Sequence, residues 1–157
     1  MINEGDPEMS EEHEKVVVLR QQKNYQFEID FGHGVEALRS DEPPPLGAGA
    51  GPSPSQLLLA AVGNCMSSSL YFALAKFKND PGGITTTARA DIGRNDAGRL
   101  RVLRITLDIR LGAQASSMTH LDRILGQFEE FCTVGQSVRA GIPMDISIHD
   151  GTGQKLK

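Results

Sequence analysis

Two cysteines, Cys65 and Cys132, are the residues of this 157-residue chain best suited to do chemistry. Each interrupts an apolar stretch with helical spacing: Cys65 lies within LLLAAVGNCMSSSLYFALA, and Cys132 ends LDRILGQFEEFC. A single buried cysteine serves most simply as a small core side chain. Two on helices that pack together permit a reactive thiol and a partner that closes a disulfide onto it, which is a redox pair. The histidines His13, His33, His120 and His149 are scattered and give no CxxC or HxxxH spacing, so no metal site is expected. Gly47, Gly49 and Gly51 precede a helix but lack the GK[ST] ending of a phosphate loop, and Pro52 removes an amide donor. Loop flexibility explains them more simply, and no cofactor is expected.

The elements that must position the thiols follow from periodicity. Residues 16–20 and 25–31 read as two strands, the second with Tyr25, Phe27, Ile29 and Phe31 on one face and QQKN before it as a turn. Residues 32–53, dense in Gly and Pro, read as one long loop with Asp41 and Glu42 in an exposed acidic turn. Ser53 is an N-cap with Pro54 at the first helical position, and the helix should run to about Phe77. It is apolar nearly all round, so it should be buried on most sides by a neighbouring helix or a second subunit. Its small residues Ala60, Ala61, Gly63, Ser67 and Ser68 allow close approach. Residues 84–92 and 100–111 read as strands joined by a turn at Asn95–Gly98. A second helix from about Ser116 carries Leu121, Ile124, Leu125, Phe128 and Phe131 and ends at Cys132. A short helical piece (134–139) and a last strand (142–148) complete the chain. The order ββ–α–ββ–α–β implies an α+β fold with helices on antiparallel sheet.

Composition narrows the function classes. The net charge of −4 comes from residues 1–14, which carry six acids and no Lys or Arg and read as an acidic disordered tail. Residues 15–157 form a single domain that is close to neutral, with no basic stripe, which argues against nucleic acid as a partner. No secretory signal pattern opens the chain, so the cytoplasm is the expected compartment, where a transient disulfide is more usual than a permanent one. Leu57–Ala75 is nineteen residues without a charge, close to a membrane span in length. Its central Gly63, Asn64 and Ser67–Ser69, with no flanking basic cluster, favour a helix buried in protein over a membrane partner.

The segments DEPPPLGAGAGPSPSQLLLAAVGNCMSSSL and FEEFCTVGQSVRAGIPMDISI resemble the OsmC/Ohr superfamily, closest to its OsmC-like, YhfA-type branch of predicted redox proteins. The resemblance implies an OsmC-like fold with antiparallel sheets packed around two long central helices in an intertwined homodimer, its thiol sites near the subunit interface. For the peroxidase members it implies reduction of organic hydroperoxides. Cys65 would then be peroxidatic, Cys132 resolving, and an external dithiol the reductant. An apolar pocket for a small organic peroxide would draw on Leu57–Ala61, including Leu59, on Phe72 and on neighbouring strands, with Ser55 and Gln56 as polar neighbours. The peroxidases keep their thiol ionised with an arginine held by a glutamate ten positions before the first cysteine. That position here is Ser55. Arg39 is the nearest candidate for the cation, ahead of Arg20 and Arg139. The resemblance leaves two functions open: a hydroperoxide reductase, or a non-catalytic stress-response dimer that binds a hydrophobic small molecule.

Overall fold

The computed structural model describes residues 14–141, so all but the last residue of the expected tail, and the expected strand over 142–148, lie outside the described residues. The chain divides into two compact units between Gln56 and Leu57.

The first unit is a three-stranded antiparallel sheet in the order β1 (Val18–Lys23), β2 (Gln26–Asp30), β3 (Leu38–Ser40). β1 runs on through Gln21–Lys23, and the hairpin turn is Asn24–Tyr25, so Tyr25 is a turn residue and not part of β2. Asn24 has φ 52°, a left-handed conformation that asparagine tolerates and a two-residue hairpin favours. Of the expected apolar face, Ile29 is buried and Phe27 half-buried, while Tyr25 and Phe31 are exposed beyond the ends of β2. β3 lies inside what reads as loop: three residues pair Leu38 with Ile29 and Ser40 with Phe27, too short for periodicity to register.

The remainder of that stretch is built around one carboxylate. Asp41 is buried, at 1% exposure, and not in an exposed turn. Its Oδ1 accepts from the Glu42 amide at 2.8 Å, and its Oδ2 accepts from the Ala48 and Ala50 amides, both at 3.0 Å. These donors hold its carboxyl below the usual 3.8, the Ala50 amide most strongly, although burial opposes them. The glycines serve close packing, not flexibility. A side chain at Gly47 would overlap the Glu42 carbonyl, and one at Gly51 the Arg39 carbonyl.

Helix α1 (Pro54–Lys76) starts as expected. The Ser53 amide donates to Gln56 Oε1 at 2.9 Å and the Gln56 amide to Ser53 Oγ at 3.4 Å, a reciprocal capping box. In the second unit α1 lies against a hairpin of β4 (Ile84–Arg94) and β5 (Leu100–Leu111), paired from Ile84↔Leu111 to Arg94↔Leu100. Small residues bring helix and strand together: a Cβ built on Gly63 lies 3.7 Å from both Ala88 Cβ and Thr86 Cγ2, and Ser67 Oγ meets Thr86 Oγ1 at 2.6 Å. The buried row Val62, Met66, Leu70 and Leu74 recurs every fourth residue. By length and composition α1 could cross a membrane. Here it is buried along one side only, with Tyr71 and Phe72 exposed on the other, not on most sides.

The expected second long helix is broken into pieces. A 3-10 turn (Ala115–Ser117) precedes α2 (Leu121–Gln127), which starts after His120 in a left-handed conformation, φ 57°. A second 3-10 turn (Phe128–Phe131) leads to an extended Cys132, and then to α3 (Thr133–Ala140). Ile124 and Phe128 still bury the apolar stripe on Leu70, Leu74 and Cys132. The stripe predicts the burial of Ile124, Phe128 and Cys132, but Leu125 and Phe131 are exposed at 47% and 67%, because the 3-10 turn after Gln127 rotates the chain off a continuous helical face.

Candidate redox site

α1 carries Cys65 next to Met66, and the break after Phe131 carries Cys132. Both thiols are free. Cys132 is fully buried, at 0% exposure, in the cluster of Met66, Leu70, Leu74, Ile124 and Phe128, and the half-buried Cys65 packs against the same cluster. Cys132 caps α3: its Sγ accepts from the Gly135 amide at 3.3 Å, and its carbonyl accepts from the Gln136 amide at 2.9 Å. Burial pushes the Cys132 thiol above its ordinary 9.0, and the adjoining Cys65 thiol, its hydrogen-bonding and electrostatic neighbour, adds to the rise. The Gly135 amide and the Ser69 hydroxyl pull the other way. One cysteine is thus partly exposed and the other is enclosed beside it. Such a pair can close a disulfide after the accessible sulfur has been oxidised.

A cavity of about 880 Å³ opens within the second unit between α1, β5, α2 and α3. Its wall is mostly apolar, with Met66, Leu107, Leu121 and Phe128, and turns polar at Arg104, Glu129 and Arg139. Gly135 lies on the same wall, where a Cβ would stand 2.8 Å from Cys132 Sγ and 3.0 Å from Met66 Cε. Through Gly135 and Met66 the cavity comes up to Cys132, although neither cysteine is part of its wall.

The other residues singled out from the sequence fall in different places. Ser55 Oγ lies 3.2 Å from Ser53 Oγ in the first turn of α1, and Gln56 is occupied by the capping box. Leu59 is half-buried and Phe72 is 65% exposed; the cavity takes Leu58 and Val62 from α1 instead. Arg39 is exposed on β3, across from Glu28. Arg20 pairs with Asp30 at 3.2 Å. Arg139, in the last turn of α3, pairs with Glu129 at 3.1 Å. Among the described residues no cluster of three or more His, Cys, Asp or Glu could hold a metal ion.

A family model for OsmC-like protein matches residues 47–147, a span that includes both cysteines. The chain belongs to the OsmC-like family. Solved structures agree on its fold. An OsmC-like protein of unknown function from Vibrio cholerae is 16% identical, with a TM-score of 0.67 over 80% of this chain and 94% of that one. The Legionella pneumophila organic hydroperoxide resistance protein OsmC, described as a predicted redox protein, is 16% identical with a TM-score of 0.62 over 83% and 92%. The organic hydroperoxide resistance protein OhrB of Bacillus subtilis is 17% identical with a TM-score of 0.60 over 82% and 93%. No curated protein matches the chain. Family membership supports a redox or stress-related role for this OsmC-like chain.

Gly135, Ser69 and Glu129 also belong to the surroundings of the thiols. Two of them carry a signal in the sequence: Gly135 stands three residues after Cys132, the spacing of an N-cap to its amide donor, and Ser69 stands one helical turn after Cys65.

Proposed function

We propose that this OsmC-like protein reduces organic hydroperoxides with Cys65 as the peroxidatic and Cys132 as the resolving cysteine. The observation that carries the reading is the pairing of a half-buried Cys65 with an enclosed Cys132 in one core cluster. The Cys65 thiolate attacks the distal peroxide oxygen, the O–O bond breaks, and the alkoxide takes up a proton and leaves as alcohol, giving Cys65 sulfenic acid. The Cys132 sulfur then attacks the Cys65 sulfur, the Cys132 thiol proton goes to the departing hydroxide, which leaves as water, and the Cys65–Cys132 disulfide is reduced by an external dithiol. The adjoining apolar cavity suits an organic substituent on the peroxide.

A reactive thiolate requires a positive neighbour, and Ser55 leaves the family's glutamate position without a charge. Arg39 remains the proposed cation from sequence. Arg139 is the competing one, since it lines the cavity with Gly135 and is anchored by Glu129. A homodimer in the cytoplasm completes the proposal, supported by the uncovered aromatic face of α1. Stopped-flow consumption of cumene hydroperoxide tests the reading: Cys65→Ser should abolish it, and whichever of Arg39→Ala and Arg139→Ala slows it identifies the cation. Wild-type protein no faster than a free thiol would rule the activity out.

The size and apolar wall of the cavity favour a second reading, a non-catalytic dimer that holds a hydrophobic molecule. It predicts a co-purifying ligand in native mass spectrometry and slow, unselective alkylation of both cysteines.

A further inference from the structure

The two sulfurs are unequal in a way that fixes how their disulfide would be opened. Thiol–disulfide exchange needs an attacking thiolate to reach one sulfur while the other departs as thiolate, so access and leaving-group stabilisation decide which is which. Cys132 is sealed at 0% exposure, and Gly135 is packed so closely on its sulfur that a Cβ would lie 2.8 Å away. Cys65 retains solvent exposure on α1. The departing charge is provided for on the other side: Cys132 Sγ caps the eight-residue helix α3 and already accepts the Gly135 amide at 3.3 Å.

We infer that an external dithiol attacks the oxidised protein at Cys65 only, with Cys132 as the leaving thiolate received by the N-terminus of α3. The attacking thiolate forms a new S–S bond to Cys65 while the Cys65–Cys132 bond breaks, and the electron pair goes to Cys132, which then takes up a proton. The second thiol of the reductant attacks its own sulfur in the mixed disulfide. That step frees Cys65 as thiolate and leaves the reductant oxidised. Burial, the largest cause of the raised affinity of Cys132 for its proton, opposes its departure, so the direction of attack is set by the enclosure of Cys132, and the Gly135 amide offsets part of that cost. The inference rests on the two-cysteine reading above, but not on hydroperoxide as the oxidant.

The test uses the full-length protein oxidised with diamide, so that it does not depend on peroxidase activity. Oxidised protein is mixed briefly with glutathione as the attacking thiol, quenched in acid, blocked with N-ethylmaleimide and mapped by peptide mass spectrometry. Extrapolated to zero time, glutathione should sit on Cys65 and N-ethylmaleimide on Cys132, in excess over the reverse by at least about tenfold. Glutathione on Cys132 to an equal or greater extent overturns the inference while leaving the two-cysteine reading intact. Failure of diamide to link Cys65 to Cys132 at all overturns both. A disulfide that forms with diamide but not with cumene hydroperoxide removes the peroxidase reading alone.

Discussion

The amide of Gly135 donates to the sulfur of Cys132 across 3.3 Å, so the enclosed cysteine is both a core residue and the cap of α3. The glycine is what lets the backbone come this close. Gly135→Ala places a methyl group against Cys132 Sγ and, at 3.0 Å, against Met66 Cε. The methionine can yield, but the sulfur sits between two fixed turns. We expect a loss of about 1–3 kcal/mol in denaturant unfolding, the usual penalty for an overpacked core. We also expect slower closure of the Cys65–Cys132 disulfide. An alanine variant as stable as wild type would show that the sulfur is free to move.

The two thiols should label very differently. At pH 8 iodoacetamide should modify Cys65 faster than Cys132 by about a hundredfold, the protection given by a local opening cost of about 3 kcal/mol. Since the folded protein holds the Cys132 proton above 9.0, the value at which an unfolded chain releases it, stability should fall as pH rises from about 9 through the folded pKa. Equal labelling of both cysteines under native conditions would contradict the enclosed position of Cys132.

Helix α1 carries a glycine that it does not need. The Cβ of an alanine at position 63 would meet Ala88 and Thr86 at 3.7 Å, an ordinary contact. Gly63→Ala should therefore stabilise the protein by about 0.5–1 kcal/mol, through lower backbone entropy in the unfolded chain. Thermal melts at several protein concentrations measure it. Destabilisation would mean that something beyond β4 packs on Gly63.

Asp41 organises the loop before α1, and its effect has a definite pH sign. Its folded pKa lies below 3.8, so the ionised carboxylate stabilises the loop at all higher pH. That contribution is lost as pH falls below about 3.8 through the folded value. Asp41→Asn should lower the melting temperature by several degrees at pH 7, because an amide cannot accept all three N–H groups with its single oxygen. The difference from wild type should shrink near pH 3. A constant difference across that range would assign the effect to shape and not to charge.

The parts of the molecule legible in the sequence are those with long periodic patterns or strong end signals. Ser53 and Pro54 place the start of α1, and alternation in 100–111 gives β5 to the residue. Cys132 reads correctly as buried. The misreadings have local causes: β3 is three residues long, Asn24 and His120 turn the chain through left-handed conformations, and Asp41 is caged by amides some distance along the chain. None of these leaves a period in the sequence. The cavity wall is legible only in part: Leu58 and the neighbouring strand β5 line it as expected, whereas Leu59 and Phe72 do not, because only the helix phase against β5 separates equally apolar residues.

Tyr71, on the open side of α1, has a practical consequence. The chain has no tryptophan and only two tyrosines, Tyr71 and the turn residue Tyr25, both water-facing in the single chain. Its intrinsic fluorescence therefore comes from two solvated phenols, one of them on the exposed side of α1 where a second subunit is proposed. Emission intensity and anisotropy recorded across a dilution series would report self-association without any added label.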